Sequence, residues 1–180
     1  MNVAIFGGSF NPPHASHVLA IAYVLATTDV ERLVVVPAFK HPFAKTLAPF
    51  EERVRMCELA TAIFPSVSVS RVERDLDGLT FHTLEAMQRE HPDWKMRLVI
   101  GADILLEADK WFRFDDVKKL APPIVLGRAG VTGTTAPAPL LPEISSTRVR
   151  ELLADKDWDA LAPLVPRAVI EHIRAKNLYA

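Results

Sequence analysis

An α/β fold, with a doubly wound, mostly parallel sheet and helices on both faces, is what three features of the sequence predict. Short runs of β-forming residues alternate with longer amphipathic runs, three of the short runs stop at glycine (Gly7-Gly8, Gly101, Gly127), and no internal repeat or low-complexity tail interrupts the order. Alternation of this kind implies right-handed crossovers and a sheet buried on both faces. Ligands in such sheets bind beyond the carboxyl ends of the strands. The three glycine stops therefore mark sequence-distant segments that converge on one crevice.

The elements follow in order. Residues Asn2 to Phe6 form a short apolar run ended by the glycine pair, which suits a strand buried on both faces. From His14 to about Ala26 a wide apolar stripe reads as a helix, with Pro12 and Pro13 marking its start. Leu33 to Val36 reads as a strand, Glu51 to about Phe64 as a helix with Glu51 and Glu52 as first-turn acids, and Val67 to Val69 as a short strand. Thr80 to about Arg89 reads as a helix, Met96 to Ile100 as a strand, and Ile124 to Leu126 as the last strand. The Gly-, Thr-, Ala- and Pro-rich stretch from Arg128 to Glu143 reads as a mobile connection rather than a domain linker. Short helices follow from about Thr147 to Ala154 and from Pro166 to Lys176.

With 180 residues, 49% of them hydrophobic, the chain has enough material for one well-filled core, so residues 1–180 are expected to form a single domain. Charges nearly cancel, 21 basic against 22 acidic, which excludes the broad electrostatic grip of a dedicated nucleic-acid binder. Anionic ligands must be held locally. The single cysteine, Cys57, excludes an internal disulfide and lies among apolar neighbours as core packing. No basic leader opens the chain and no apolar run reaches membrane-spanning length, so a cytoplasmic protein without membrane contact is expected. A homo-oligomer is left open.

The run Gly7-Gly8-Ser9-Phe10-Asn11-Pro12-Pro13-His14-Ala15-Ser16-His17 joins a strand to a helix. Its glycines let backbone approach an anion, the helix start supplies N–H groups, and His14 and His17, three residues apart, share a helix face. Imidazole N–H donors suit displacement at phosphorus, which needs positioning and charge neutralisation more than a nucleophile. The same pair by itself also reads as surface or packing, or as half of a zinc site for which no third ligand is evident. The glycine pair matches neither the Walker lysine loop nor the GxGxxG fingerprint. A second cluster, Ile144-Ser145-Ser146-Thr147-Arg148-Val149-Arg150, places three hydroxyls at a helix start. One hydroxyl suffices for a cap. Three, with Arg150 one turn on, could grip the outer phosphates of a nucleoside triphosphate, while Arg148 reads as solvated.

Together these residues resemble a family. The GGSFNPPHxxH run, Gly101-Ala102-Asp103 followed by Trp111, Arg128-Ala129-Gly130, ISSTRVR and the terminal VPRAVIEHIRAKNLY occur in the order found in bacterial nicotinate-nucleotide adenylyltransferases, within the HxGH-type nucleotidyltransferase superfamily. The resemblance covers essentially the whole chain and implies a Rossmann-like fold. It implies transfer of an adenylyl group from ATP to nicotinate or nicotinamide mononucleotide, with pyrophosphate leaving, Mg2+ escorting the phosphates and no covalent enzyme intermediate. By resemblance, His14 and His17 are catalytic, and Gly8, Ser9 and Phe10 line the nucleotide with backbone groups. Gly101 and Asp103 border its ribose, Arg128 lies near the adenine, and Ile144, Ser146, Thr147 and Arg150 hold adenosine and the outer phosphates. Trp111 stacks on the pyridine ring and Thr80 belongs to the run that embraces it. Lys45, in HPFAK, is favoured over Lys40 and Arg53 as the basic residue near the mononucleotide phosphate. No metal ligand from the protein is implied.

Each reading has a plainer rival: Trp111 beside Phe112 and Phe114 also reads as core, and Lys40, Lys45 and Arg53 as solvated charge. The chain also departs from the family. Ser16 stands where glycine is usual before the second histidine, and Gly78-Leu79 replace a Ser-Tyr pair, while Thr80, Thr83 and Leu84 match. His82, between them, reads as a solvated helix position. A pantetheine-phosphate adenylyltransferase or a cytidylyltransferase would share the two main motifs but not Gly-Ala-Asp with Trp111. A nucleotide-binding protein that has lost turnover is the rival from another class, and Ser16 keeps it open.

Overall fold

The computed structural model describes residues 1–40, 47–107, 110–127 and 142–179. Five strands, β1 (Asn2–Gly8), β2 (Arg32–Pro37), β3 (Val67–Val69), β4 (Lys95–Gly101) and β5 (Pro123–Leu126), form one sheet in the order β3-β2-β1-β4-β5, with every neighbouring pair parallel. The crossovers carry helices α1 (Ala15–Thr27), α2 (Phe50–Thr61), α3 (Thr80–Glu90), α4 (Ala102–Leu106) and α5 (Phe114–Leu120), and a 3-10 turn over Val72–Asp75 follows β3. Three helices close the chain: α6 (Ser146–Ala154), α7 (Trp158–Leu161) and α8 (Arg167–Lys176). The doubly wound Rossmann-like order is the one expected.

Strand alternation divides the core. Val3, Ile5, Val34, Val36, Met96, Leu98 and Ile100 face one side, where Phe81, Leu84 and Met87 of α3 and Val117 of α5 cover them. Ala4, Leu33, Val35, Val99, Ile124 and Leu126 face the other, against Ala20, Ile21 and Val24 of α1 and Cys57 of α2. Successive side chains of a strand point to opposite faces, so β1, β2, β4 and β5 each feed both clusters and read as apolar runs, while β3 at the edge gives Val67 and Val69 to the second alone. Fully burying one such aliphatic side chain contributes about 1.5–3 kcal/mol. A third cluster, built from Val149, Leu152, Leu161, Val165, Val169 and Ile173, ties α6, α7 and α8 to Met56 and Ala60 of α2. His172 and Glu52 join α8 to α2 at 2.6 Å.

Several boundaries differ from those read in the sequence. Helix α2 stops at Thr61, three residues short of Phe64, whose N–H turns back to the Thr61 carbonyl at 2.9 Å. The 3-10 turn, α4, α5 and α7 were not foreseen, because elements of four to seven residues carry too little periodicity to stand out. Cys57 is buried as expected, and burial raises its thiol pKa.

The winding direction reverses between β1 and β4, and the crevice beyond their carboxyl ends is where such folds hold ligands. Both strands end there in glycine, Gly7-Gly8 and Gly101. A Cβ at Gly101 would meet the carboxylate oxygen of Asp103, the end of a side chain that can turn aside, and the φ of −74° is ordinary, so glycine there lets the Asp103 carboxylate lie against the end of β4. Among the described residues no helix is long and apolar enough to cross a membrane.

Candidate active site

A cavity of about 670 Å3 opens at this switch point. That volume lies within the range of small-molecule sites. A second concavity, about 340 Å3, sits near the start of β1 and β4 beside Asn2, Asp29 and Trp94, and gathers none of the expected site residues.

The imidazoles come first. His14 caps α1 in an extended conformation and is buried, while His17 lies one turn along. Their ring centroids are 3.8 Å apart with a 33° tilt, and both residues line the cavity. The backbone N–H of His14 donates to Nδ1 of His17 at 3.1 Å. A nitrogen that accepts carries no proton, so this bond assigns the neutral His17 ring its proton on Nε2 and makes that nitrogen a donor. Phe10 packs on the His17 ring at 4.9 Å.

The hydroxyl-bearing turn faces the same cavity through Ile144, Ser146, Thr147 and Arg150. Only Ser145 caps α6, accepting from the Arg148 N–H at 3.2 Å. Ser146 is thereby released to donate to the Pro12 carbonyl at 3.0 Å, and Arg150 donates to the Asn11 carbonyl at 2.8 Å and to Thr147 at 3.3 Å. The two motifs, more than 130 positions apart, are therefore bonded to each other. Arg148 is exposed and pairs with Glu151, as the sequence suggested.

Other expected residues fall as follows. Gly8, Ser9, Gly101, Asp103, Thr80 and Trp111 all line the cavity. Trp111 packs edge-on to Phe114 at 5.6 Å and also presents part of its surface to the cavity. Phe10, expected to line the nucleotide with backbone groups, is not among the residues on the cavity wall; its ring is buried in the core and its backbone has a φ of 43°. An aromatic ring of that size contributes more as packing under the loop than on its surface. Lys45 and Arg128 lie outside the described residues. Gly127 stays off the wall, and β5 contributes Leu126 instead.

Arg53 also departs from both readings offered for it, being neither solvated nor on the cavity wall. It is 1% exposed and donates to three carbonyls, Ala48 at 2.9 Å, Ser9 at 2.9 Å and Ala38 at 2.7 Å. Burial lowers its pKa, opposed by Tyr179 and Cys57 nearby. Asn11 is a second support, its Oδ1 accepting from the Ala48 N–H at 3.0 Å and from the Tyr179 hydroxyl at 2.9 Å. Sequence reasoning missed Asn11 and Tyr179 as supports, although both lie inside quoted motifs. Nothing in the sequence distinguishes Arg53 from a surface arginine.

Ser16 is buried, and its hydroxyl donates to the Pro142 carbonyl at 2.9 Å. The same carbonyl accepts the Ile144 N–H at 2.9 Å, so the unusual serine braces the turn that presents Ile144. At the far end, Gly78 has a φ of 85°, where a serine would be strained. His82 pairs with Asp77 at 2.8 Å and faces the Phe112 ring at 5.4 Å, so it is half-buried rather than freely solvated. The Leu79 N–H and then His82 hold the Asp77 carboxyl below its usual range. Glu73 was not foreseen: it is 4% exposed, lines the cavity and accepts from the Thr83 hydroxyl.

Among the described residues no group of three or more His, Cys, Asp or Glu side chains is arranged to hold a cation. Hydroxyls, backbone groups, imidazoles and a guanidinium together suit an anionic phosphate chain.

The chain is similar to known proteins over nearly its whole length. Residues 5–152 match the family model described as Cytidylyltransferase-like. A protein of Anaeromyxobacter dehalogenans (strain 2CP-C), named "Probable nicotinate-nucleotide adenylyltransferase", is 44% identical over 98% of this chain and 96% of its own. A protein of the same name from Thermus thermophilus is 33% identical over 99% of this chain and 100% of its own. In fold, the chain matches Plasmodium falciparum nicotinic acid mononucleotide adenylyltransferase complexed with NaAD, with a TM-score of 0.85 over 99% of this chain and 97% of that one, at 18% identity. With identity and coverage of this extent, the chain belongs to the nicotinate-nucleotide adenylyltransferase family, within the cytidylyltransferase-like proteins.

Proposed function

We propose that the chain joins MgATP and a pyridine mononucleotide, giving the dinucleotide and pyrophosphate, as the adenylyl-transfer step of NAD biosynthesis. The observation that carries this reading is the shared wall: the His14–His17 pair and the Ile144–Arg150 turn line one cavity, and two hydrogen bonds hold them face to face. The residue assignments are part of the proposal.

In the reaction, a phosphate oxygen of the mononucleotide attacks the α-phosphorus of ATP and the bond to the bridging oxygen of the β-phosphate breaks. Negative charge grows on the non-bridging oxygens and on the departing pyrophosphate, so the protein has mainly to align the two phosphates and neutralise charge. His17 offers its Nε2–H to the reacting phosphate, with its ring fixed by the His14 N–H and Phe10. Arg150 and the hydroxyls of Ser146 and Thr147 hold the outer phosphates; the guanidinium still has donors to spare beyond Asn11 and Thr147. Gly8 and Ser9 supply backbone groups, and Gly101 and Asp103 border the ribose. A magnesium ion held by the ATP phosphates would neutralise part of their charge. Trp111 and Thr80 receive the acceptor, and Lys45 and Arg128 are assigned to its phosphate and to the adenine on resemblance alone.

The test is pyrophosphate release from MgATP with nicotinate mononucleotide, nicotinamide mononucleotide or phosphopantetheine supplied separately. Turnover confined to the pyridine acceptors is expected. Turnover with phosphopantetheine alone would move the chain to another branch of the class, and none with any acceptor would leave a nucleotide-binding protein.

A further inference from the structure

Asn11 stands on the cavity wall between β1 and α1, yet it is 3% exposed. Its side-chain oxygen takes two donors, the Ala48 N–H at 3.0 Å and the Tyr179 hydroxyl at 2.9 Å, while its backbone carbonyl takes Arg150 at 2.8 Å. Two bonds to one amide oxygen occupy both of its lone pairs and hold the side chain in one orientation. A single residue thus joins the β1–α1 loop to the segment before α2, to α6 and to the segment after α8.

The chain leaves α8 through Asn177 at a φ of 49° and reaches Tyr179 at 64°. A bulky residue keeps that left-handed conformation only where the surrounding structure holds it. The Tyr179 ring packs against the cluster that α6, α7 and α8 form with α2. Burial pushes its hydroxyl above the usual phenol range, opposed by the nearby Arg53 and Arg150 guanidinium groups, so the group stays protonated and donates. Tyr179 is not among the residues on the cavity wall, so any effect it has on a ligand passes through Asn11.

Resting on the adenylyl-transfer reading of this cavity, we propose that Tyr179 is a positioning residue for the outer phosphates of ATP: by holding Asn11 from behind, its hydroxyl fixes the carbonyl that aims the Arg150 guanidinium. Among the described residues Arg150 bonds only to Asn11 and Thr147, so its direction is set there. The guanidinium is a rigid planar fork, and a bond at one donor settles where the others point. A loosened Asn11 would let the fork turn away from the β- and γ-phosphates and leave the adenosine contacts as they are.

The experiment measures dissociation constants of MgATP and AMP by titration calorimetry for the native protein, Tyr179→Phe, Arg150→Met and the double variant. Phenylalanine keeps the ring in the core and removes only the donor. Tyr179→Phe is expected to weaken MgATP about fivefold, the scale of one neutral hydrogen bond, and to leave AMP, which lacks the outer phosphates, unchanged. With Arg150→Met already in place the same change should weaken MgATP no further, a coupling that general loosening of the fold does not produce. Equal loss for both nucleotides, no loss for either, or an undiminished loss in the Arg150→Met background overturns this inference alone. Failure of Tyr179→Phe to fold assigns the hydroxyl to stability and overturns it too. A native protein that binds neither nucleotide overturns the adenylyl-transfer reading itself.

Discussion

The two ends of the cavity, proposed above for adenylyl transfer and for the acceptor, are built differently. At the transfer end, the β1–α1 turn is locked by long-range bonds to its backbone: Arg53 reaches the Ser9 carbonyl, Arg150 the Asn11 carbonyl and Ser146 the Pro12 carbonyl. Tyr179, near the end of the chain, anchors the Asn11 side chain from below. At the acceptor end, the wall from Gly78 to Leu84 is held by short-range bonds, Asp77 to Leu79 and His82, and Thr83 to Glu73. Charge neutralisation at phosphorus needs donors fixed before the reaction, which a cross-linked backbone supplies. Acceptor choice needs only a few side chains that differ, and a locally bonded wall can vary without disturbing the sheet.

This contrast can be broken most severely at Arg53. Arg53→Met should cost about 3 kcal/mol or more of folding stability, since it leaves three buried carbonyls short of their donor. Urea denaturation reads this directly, and a midpoint close to the native one would show that the clamp is dispensable. Next comes His17→Ala, expected to lower kcat roughly a hundredfold or more with folding retained, as when a transition-state donor is removed. A rate near native would take His17 out of the chemistry. The smallest effect belongs to Ser16→Gly, which restores the family's usual residue but deletes the bond to the Pro142 carbonyl. Loss of one neutral hydrogen bond, about 1 kcal/mol, should raise KM for ATP several-fold and leave KM for the mononucleotide unchanged. A change in the mononucleotide KM instead would show that Ser16 acts across both ends.

The glycine stops at Gly7-Gly8 and Gly101, the histidine spacing and the three-hydroxyl run marked in the sequence the segments that meet around one cavity, because each breaks the apolar period of its neighbours with residue types that suit a phosphate. Ser145, Ser146 and Thr147 looked in excess of a cap, and the structure divides their work: one caps, one grips Pro12, one meets Arg150. That the Phe10 ring packs into the core was not legible, because motif membership says nothing about which way a side chain turns. Arg53 and Glu73 were illegible for a related reason: each is a charged residue in a polar run, and burial alone gives it its role.

The five strands, the longer helices between them and the family were legible in the sequence alone, since hydrophobic period and local backbone chemistry are written residue by residue. Tertiary structure decided which carbonyls Arg53 and Arg150 satisfy, where the Ser16 hydroxyl turns, and that a carboxyl at Glu73 is buried on the cavity wall. Those outcomes depend on segments up to 168 positions apart meeting, as Asn11 meets Tyr179, and the cost of leaving buried polar groups unpaired selects the meeting only once the core has closed around them.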